Sequence, residues 1–544
     1  MKAVRNVIDF LVEGGVKYVF GIPAGSINAF FDELYEMPQI TPVVAKHEGA
    51  ASYMAAAYAK HSDSLGVCIG CSGPGSTNLL TGAAHAYREH LPVLFLTGSV
   101  PVRTVGLNAS QELNAVPLFQ PVTKYSVSVS RAEDLLYEVA RAVEIALSGI
   151  PGPVHVQMPI DIQLEQVEPV ALPPFPQQQI SVPNRSLLRQ AAKELLERSK
   201  GIIFVGQGAR RAMPDVLQLA ETLNWPIVTT PQAKGFVPHS HPLYHGIFGF
   251  AGQARATKLI EDQEYRAILI VGSSLGETAT SNWNRHLTGD RYTVQIDIDE
   301  TVFHRTYPID LPIRGDAGLG LRFLIQELER MGLRRNSFEP DVTASIPQPS
   351  TAYNTQNVLL SLQKHMPPST RYAVDIGEFM SYVIHYMQVM ETDTFDINVH
   401  FGAMGTAIGA AIGMNLADPY RPAVCITGDG CFFMHGMEIL TAKEYNLPIL
   451  FVVINNARLG MVYHGHTLQY KRSHPRFEQQ PVSISDMAYS MGIPSWRVEK
   501  LQDLSAGVLH DILVDGPAVL EISIVDNNIP PMGDRVKFLS SFQK

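Results

Sequence analysis

The chain has 544 residues, 46% of them hydrophobic and 17% charged, a length for about three domains and the makeup of an ordinary globular enzyme. Its net charge of −10 offers no electrostatic attraction to nucleic acid or to an anionic membrane, so neither is expected as a partner. No apolar run reaches bilayer length, and Lys2, Arg5, Asp9 and Glu13 interrupt the stretch where a signal peptide would be apolar, so a cytoplasmic protein is expected.

Short apolar runs alternate with helical patterns through three segments, 1–165, 184–335 and 357–544, separated by the Pro-rich stretches 166–183 and 336–356. This grammar predicts an α/β protein of three domains, each a doubly wound parallel sheet with helices on both faces. In the first segment, strands are expected at 18–20, 42–45, 65–69, 93–97 and 153–158. The second strand runs through Val43-Val44-Ala45-Lys46-His47-Glu48 into a helix, and Glu48 stands at the junction, where the helix dipole favours an acid. Phe20 to Gly25 and Gly70 to Asn78 are turns after strands, and their glycines let backbone approach a ligand closely. Cys68 and Cys71 have C-x-x-C spacing, yet they lie on a buried strand entering a Gly-rich turn, and Cys425 and Cys431 are too widely spaced to complete a zinc site. Four cysteines in this length make no disulfide framework.

The middle segment offers strands at 201–205, 226–229, 267–271 and 292–296. Gly206-Gln207-Gly208 is only a fragment of a dinucleotide fingerprint, without its third glycine, and flavin or nicotinamide is not expected there. The third segment offers strands at 372–376, 423–427, 449–454 and 518–524. Gly428-Asp429-Gly430 leaves a carboxylate at the C-terminal edge of its strand, the edge where open α/β sheets bind ligands. A helix is expected over 432–446, and the next strand delivers Asn455 and Asn456 to the same edge. Two oxygen ligands so placed suit Mg²⁺ with phosphates filling the rest of its octahedron.

Gly428-Asp429-Gly430 followed, after a helix-length interval, by Asn455-Asn456 resembles the signature of the thiamine diphosphate enzymes. The resemblance implies that Asp429 and Asn456 bind Mg²⁺ through their side chains and Arg458 through its carbonyl. It places Gly428, Gly430, Cys431, Gly460 and Met461 on the cofactor, and Gly377 and Glu378, at a predicted helix start, near its diphosphate oxygens. Glu48 matches the family's catalytic Glu, which protonates the aminopyrimidine ring, and the loop carrying Gly25 resembles a pyrimidine-side loop. Met404, in Gly402-Ala403-Met404-Gly405, matches the apolar wedge that bends the cofactor, and Gly402 matches the residue whose carbonyl accepts from its exocyclic amine. With Glu48 and the metal motif in different domains, the resemblance implies that two chains build each site, a homodimer at minimum and a homotetramer by family habit.

The resemblance covers nearly the whole chain and is nearest to the acetolactate synthase and pyruvate oxidase branch. Ser110-Gln111-Glu112 matches an element of that branch and gives Gln111 a catalytic place beside the substrate, while 118–125 resembles the acetolactate synthases that lack flavin. The paired histidines of the simple decarboxylases are absent. Two departures stand out: Tyr463-His464-Gly465 where the biosynthetic synthases place a Trp, and Gly272 to Thr278 where they carry an Arg-Phe-Asp-Asp-Arg pattern. The expected activity is a carboligase that decarboxylates pyruvate or a related 2-oxo acid and transfers the acyl unit to a second carbonyl, with His464 or His466 available for proton transfer. The alternatives are a 2-oxo acid decarboxylase or C–C lyase, and a non-catalytic binding relative.

Overall fold

The computed structural model describes residues 1–339, 347–505, 509 and 516–541. Among the described residues eighteen strands form three six-stranded sheets in which every pairing is parallel. The first contains β1 (Tyr18–Gly21), β2 (Thr41–Val44), β3 (Gly66–Gly70), β4 (Val93–Ser99), β5 (Tyr125–Ser128) and β6 (Val154–Pro159), in the order β2-β1-β3-β4-β6-β5. The second contains β7 (Gly201–Val205), β8 (Ile227–Thr229), β9 (Tyr244–Ile247), β10 (Ala267–Val271), β11 (Tyr292–Asp297) and β12 (Leu311–Arg314), in the order β12-β11-β10-β7-β8-β9. The third contains β13 (Arg371–Val374), β14 (Phe395–Ile397), β15 (Ala423–Gly428), β16 (Ile449–Asn455), β17 (Ser495–Val498) and β18 (Ala518–Ser523), in the order β14-β13-β15-β16-β18-β17.

Central strands such as β7 (GIIFV) and β10 (AILIV) are apolar at nearly every position because helices cover both faces of the sheet. Alternate residues of β3 show the two faces, Val67 and Ile69 entering one core and Cys68 another. In each sheet the strand order reverses at a central point, between β1 and β3, β7 and β10, and β13 and β15, which opens a crevice at the C-terminal edge. The loops after those strands are therefore where ligands belong.

One apolar core runs from the first sheet to the third through two helices, Glu48–Ser62 and Thr406–Ala417. Gly409 and Gly413 let the helices meet at backbone distance: a Cβ there would stand 2.7 Å from the Ala50 carbonyl oxygen and 2.1 Å from that of Met54. Their packing fixes Glu48 relative to the loops of the third sheet.

The structure departs from the sequence reading at one helix, at five strands and at residues 74–78, expected in a turn but opening the helix Pro74–Arg88. The helix expected over 432–446 is two helices, Asp429–His435 and Glu438–Glu444, broken at Gly436, where a Cβ would fall 2.5 Å from the Phe432 carbonyl oxygen. Strands β5, β9, β12, β14 and β17 were not anticipated. Residues 167–184, within the first Pro-rich stretch and one residue beyond it, carry neither helix nor strand. Among the described residues no helix is long and apolar enough to cross a membrane.

Candidate active site

The crevice between β13 and β15 gathers most of the third-segment candidates. Strand β15 runs without a turn into the helix Asp429–His435, so Asp429 is its first residue and Gly428 its cap. Buried there, its carboxyl is pushed up to about 6, against the pull of the Gly430 and Ala457 amides and with the Glu378 carboxylate adding to the rise. The helix Glu378–Tyr386 likewise begins at Glu378 with Gly377 as cap. Glu378 Oε1 accepts from Asn456 Nδ2, and Glu378 Oε2 faces His464 Nε2 at 3.2 Å but out of hydrogen-bond alignment, which leaves that buried oxygen unsatisfied. Asn456 Oδ1 accepts from the Arg458 amide at 3.2 Å.

Asparagine 455 has a different task. It ends β16, and its Nδ2 donates to Glu521 Oε1 (2.6 Å) and to the Val482 carbonyl (2.8 Å), so it ties strands together while Asn456 enters the crevice. Glycines line the floor. A Cβ on Gly377 or Gly428 would meet the Phe379 ring at 2.2 and 2.9 Å, and one on Gly460 would overlap the Glu378 carboxyl at 2.3 Å. Cys431 Sγ is spoken for by the Ile376 carbonyl at 3.1 Å.

Asp375, which the sequence reading passed over, organises the rim. Its Oδ1 accepts from the amides of Ile376 and Gly405, both at 2.9 Å, and its Oδ2 accepts from Thr427 Oγ1 at 3.0 Å. Burial raises its carboxyl to about 6. The bond to Gly405 anchors the loop carrying Gly402 and Met404, and Gly402 and Gly405 adopt φ of +70° and +80° to make that turn. The Met404 methyl reaches over Gly430, 3.4 Å from where a Cβ would be.

The first sheet supplies a second group of residues at its own crevice. His47 caps the helix Glu48–Ser62 through Nδ1, accepting from the Gly49 amide at 2.9 Å, and Glu48 is buried beside it. Glu48 Oε2 accepts from Asn78 Nδ2 at 2.9 Å, and its Oε1 lies against Gly75, 3.1 Å from where a Cβ would be. Asn78 was quoted in a loop without a role; it sits on the helix Pro74–Arg88, whose first turn faces this crevice. Gln111 is exposed at φ +62°, and its carbonyl accepts from Ser72 Oγ at 2.6 Å while Ser72 N donates to Ser26 Oγ, so the Gln111 and Gly25 loops are tied to one rim. Cys68 and Cys71 are free, and burial with the nearby Glu48 charge raises both thiols.

Two expectations separate here. His464 is buried against Glu378 and Arg458, whereas His466 Nδ1 bonds the Arg472 carbonyl at 2.6 Å and its ring packs on Tyr470 and Phe477, away from the crevice. In the middle sheet a Cβ on Gly206 would fall 2.2 Å from the Gly272 carbonyl oxygen, so those glycines serve backbone contact across the switch point.

Residues 1–118, 188–324 and 375–522 match, in turn, the N-terminal TPP binding domain, the central domain and the C-terminal TPP binding domain of thiamine pyrophosphate enzymes. A Methanocaldococcus jannaschii protein named "Probable acetolactate synthase large subunit" is 30% identical over 562 aligned residues, which cover 98% of this chain and 93% of that protein. The chain belongs to the thiamine pyrophosphate enzymes. The acetolactate synthase large subunit of Corynebacterium glutamicum is 29% identical, over 98% of this chain and 88% of its own length, and isozyme 2 of Escherichia coli 28%, over 98% and 97%. This is therefore a thiamine pyrophosphate-dependent enzyme of the acetolactate synthase-like kind.

The residues present fit the diphosphate end of the cofactor. The buried Asp429 carboxylate and the Asn456 amide oxygen in one crevice are the oxygen types a hard divalent ion takes, and the floor glycines leave a phosphate no side chain to displace.

Proposed function

We propose that this enzyme is a Mg²⁺-dependent carboligase that decarboxylates pyruvate or a related 2-oxo acid and joins the acyl unit to a second carbonyl compound. The observation that carries the reading is a cleft of about 730 Å³ that starts at Ile376, Gly402 and Met461 and continues between the second and third sheets. Pockets of roughly 300–1,000 Å³ bury ligands of drug size, so this one is large enough for a small-molecule substrate beside the residues assigned to the cofactor. Thiamine diphosphate supplies the electron sink for decarboxylation when bound.

The chain's own residues hold, orient and protonate. Asp429, Asn456 and the Arg458 carbonyl hold the cation; Gly377, Glu378, Gly428, Gly430, Cys431 and Gly460 line the diphosphate end. Gly402 offers its carbonyl to the pyrimidine amine, Met404 supports the bend, and Met461 faces the cleft. Glu48 holds the proton that passes to the pyrimidine ring, oriented by Asn78, and Gln111 with the Gly25 loop closes the other side. The family resemblance supports a site built by two chains, with Glu48 from one and the cation ligands from the other, in a homodimer or a tetramer made of such pairs. Residues 1–165, 184–335 and 357–544 form the three domains of each chain, working in the cytoplasm.

Product analysis by mass spectrometry tests the reading. The enzyme with thiamine diphosphate and Mg²⁺ is given a panel of 2-oxo acids, with and without aldehyde acceptors. A hydroxy-oxo acid or acyloin is expected; free aldehyde alone would make it a decarboxylase.

A further inference from the structure

The cleft carries a charge pattern that the proposed reaction does not use. Three guanidiniums line it from three parts of the chain: Arg88 at the end of the helix Pro74–Arg88, Arg305 in the loop after β11, and Arg535 in the helix Gly533–Ser541. A single carboxylate joins them, Glu277, 3.4 Å from Arg535 Nη1. Arg305 gives one N–H to the Ser274 carbonyl at 3.2 Å, and among the described residues neither Arg305 nor Arg88 is paired with a carboxylate. The cleft is thus cationic in a chain whose net charge is −10. Charge of one sign lining a concave wall focuses the field on whatever enters, and the planar fork of Arg matches carboxylate and phosphoryl oxygens two at a time.

We infer that the cleft selects a substrate carrying a second anionic group, a carboxylate or a phosphoryl group remote from the reacting carbonyl, with Arg305 and Arg88 as its specificity-determining residues. This rests on the proposed function for where the reaction occurs. Arg535 is held by Glu277 and belongs to the wall, whereas Arg305 and Arg88 have N–H groups free to meet a ligand. Met461 and Gly402, which the proposed function places beside the cofactor, are apolar or small, and the guanidiniums come from other elements of the lining. A substrate spanning the cleft would place its oxo group beside the cofactor and its charged tail at the guanidiniums.

The test is calorimetric titration of the enzyme, loaded with thiamine diphosphate and Mg²⁺, with three probes: 2-oxoglutarate, 3-phosphonopyruvate and 2-oxopentanoate, the last having 2-oxoglutarate's length without its tail charge. The wild type is expected to bind at least one doubly charged probe about tenfold or more tighter than 2-oxopentanoate, the size of a charge-assisted hydrogen bond. Arg305→Ala and Arg88→Ala, both exposed positions, should each remove most of that preference and leave 2-oxopentanoate binding within about twofold. Arg305→Lys should restore only part, because an ammonium keeps the charge and loses the fork. The tighter of the two charged probes identifies carboxylate or phosphoryl. Equal binding of all three probes by the wild type, or an alanine variant that weakens every probe alike, overturns the inference. Turnover without preference overturns it and leaves the carboligase; preference without turnover leaves it and overturns the carboligase.

Discussion

Asn78 donates from Nδ2 to Glu48 Oε2 across 2.9 Å, linking the first residue of one helix to the first turns of the next at the crevice of the first sheet. The bond leaves Oε1 to face the Gly75 backbone, the oxygen that the proposed function would use for proton transfer. Glu48→Gln keeps an acceptor for Asn78 and cannot pass a proton. Its kcat should fall by about 10²–10⁴, the span of a lost general acid or base. Thiamine diphosphate affinity, measured by calorimetry, should change little; full activity in this variant would remove Glu48 from the chemistry. Asn78→Ala frees the carboxylate to rotate and should lower kcat by about tenfold with the cofactor still bound.

Glu378 and Asn456 make a second testable pair. Because Asn456 Nδ2 is engaged by Glu378, the amide is held in one orientation, and on the proposed reading Glu378 would act on the cation through it. Partners that orient a metal ligand typically matter by about 10–100-fold in affinity. Glu378→Ala should weaken Mg²⁺ binding by about tenfold or more at saturating thiamine diphosphate. Glu378→Gln, which retains the acceptor, should stay within a few-fold of wild type. Mg²⁺ titrations in which both variants bind as wild type would assign Glu378 no part in orienting Asn456.

Much of this architecture was legible because its central strands are continuous apolar runs. β7 and β10 were located to the residue, and every anticipated strand lies within two residues of its expected ends. The five that escaped, β5, β9, β12, β14 and β17, are all edge strands of their sheets. An edge strand pairs on one side only and is half-exposed, so β5 (YSVS) and β17 (SWRV) carry no run to read. The placement of Asp429 and Asn456 was legible from spacing, since each follows directly on one of the neighbouring strands β15 and β16. What sequence could not reveal was side-chain direction: that Asn455 turns to Glu521 while Asn456 turns inward, or that Asp375 bonds the Gly405 loop. Those partners lie 66, 78 and 30 residues away along the chain, so no local pattern announces them.

The helix pair joining the first and third sheets should be intolerant of one methyl group. Gly413→Ala would place Cβ 2.1 Å from the Met54 carbonyl oxygen, a backbone atom that cannot swing aside. Overpacking of this sort costs about 1–3 kcal/mol and outweighs the gain of up to about 1 kcal/mol that Ala brings to a helix. Gly465→Ala is the control. It lies inside the helix Gly460–Tyr470 and a Cβ would meet only the Met532 methyl at 3.6 Å, ordinary contact. Denaturant titration should show Gly413→Ala destabilised and Gly465→Ala stabilised by roughly 0.5–1 kcal/mol. The same sign for both would contradict backbone-distance packing at Gly413.

Lys234 ties the second domain to the far end of the helix that begins at Glu378. Its Nζ donates to the carbonyls of Ile384 (3.2 Å) and Met387 (2.7 Å) and stands 4.8 Å from the Phe395 ring centre. Among the described residues no carboxylate is bonded to it, and burial pulls its ammonium down from 10.5 to about 7. The sign of the pH dependence follows. Below about pH 7 the lysine is charged in both folded and unfolded chains, and the folded state bears the whole cost of burying that charge. Between about 7 and 10.5 the unfolded chain binds a proton that the folded chain has released, so stability from this group rises with pH across that window. Lys234→Met keeps the length of the side chain and removes the titration. Thermal midpoints of wild type and variant, measured from pH 6.5 to 9, should therefore shift in favour of wild type as pH rises, and parallel curves would show that Lys234 keeps an ordinary pKa in the folded enzyme.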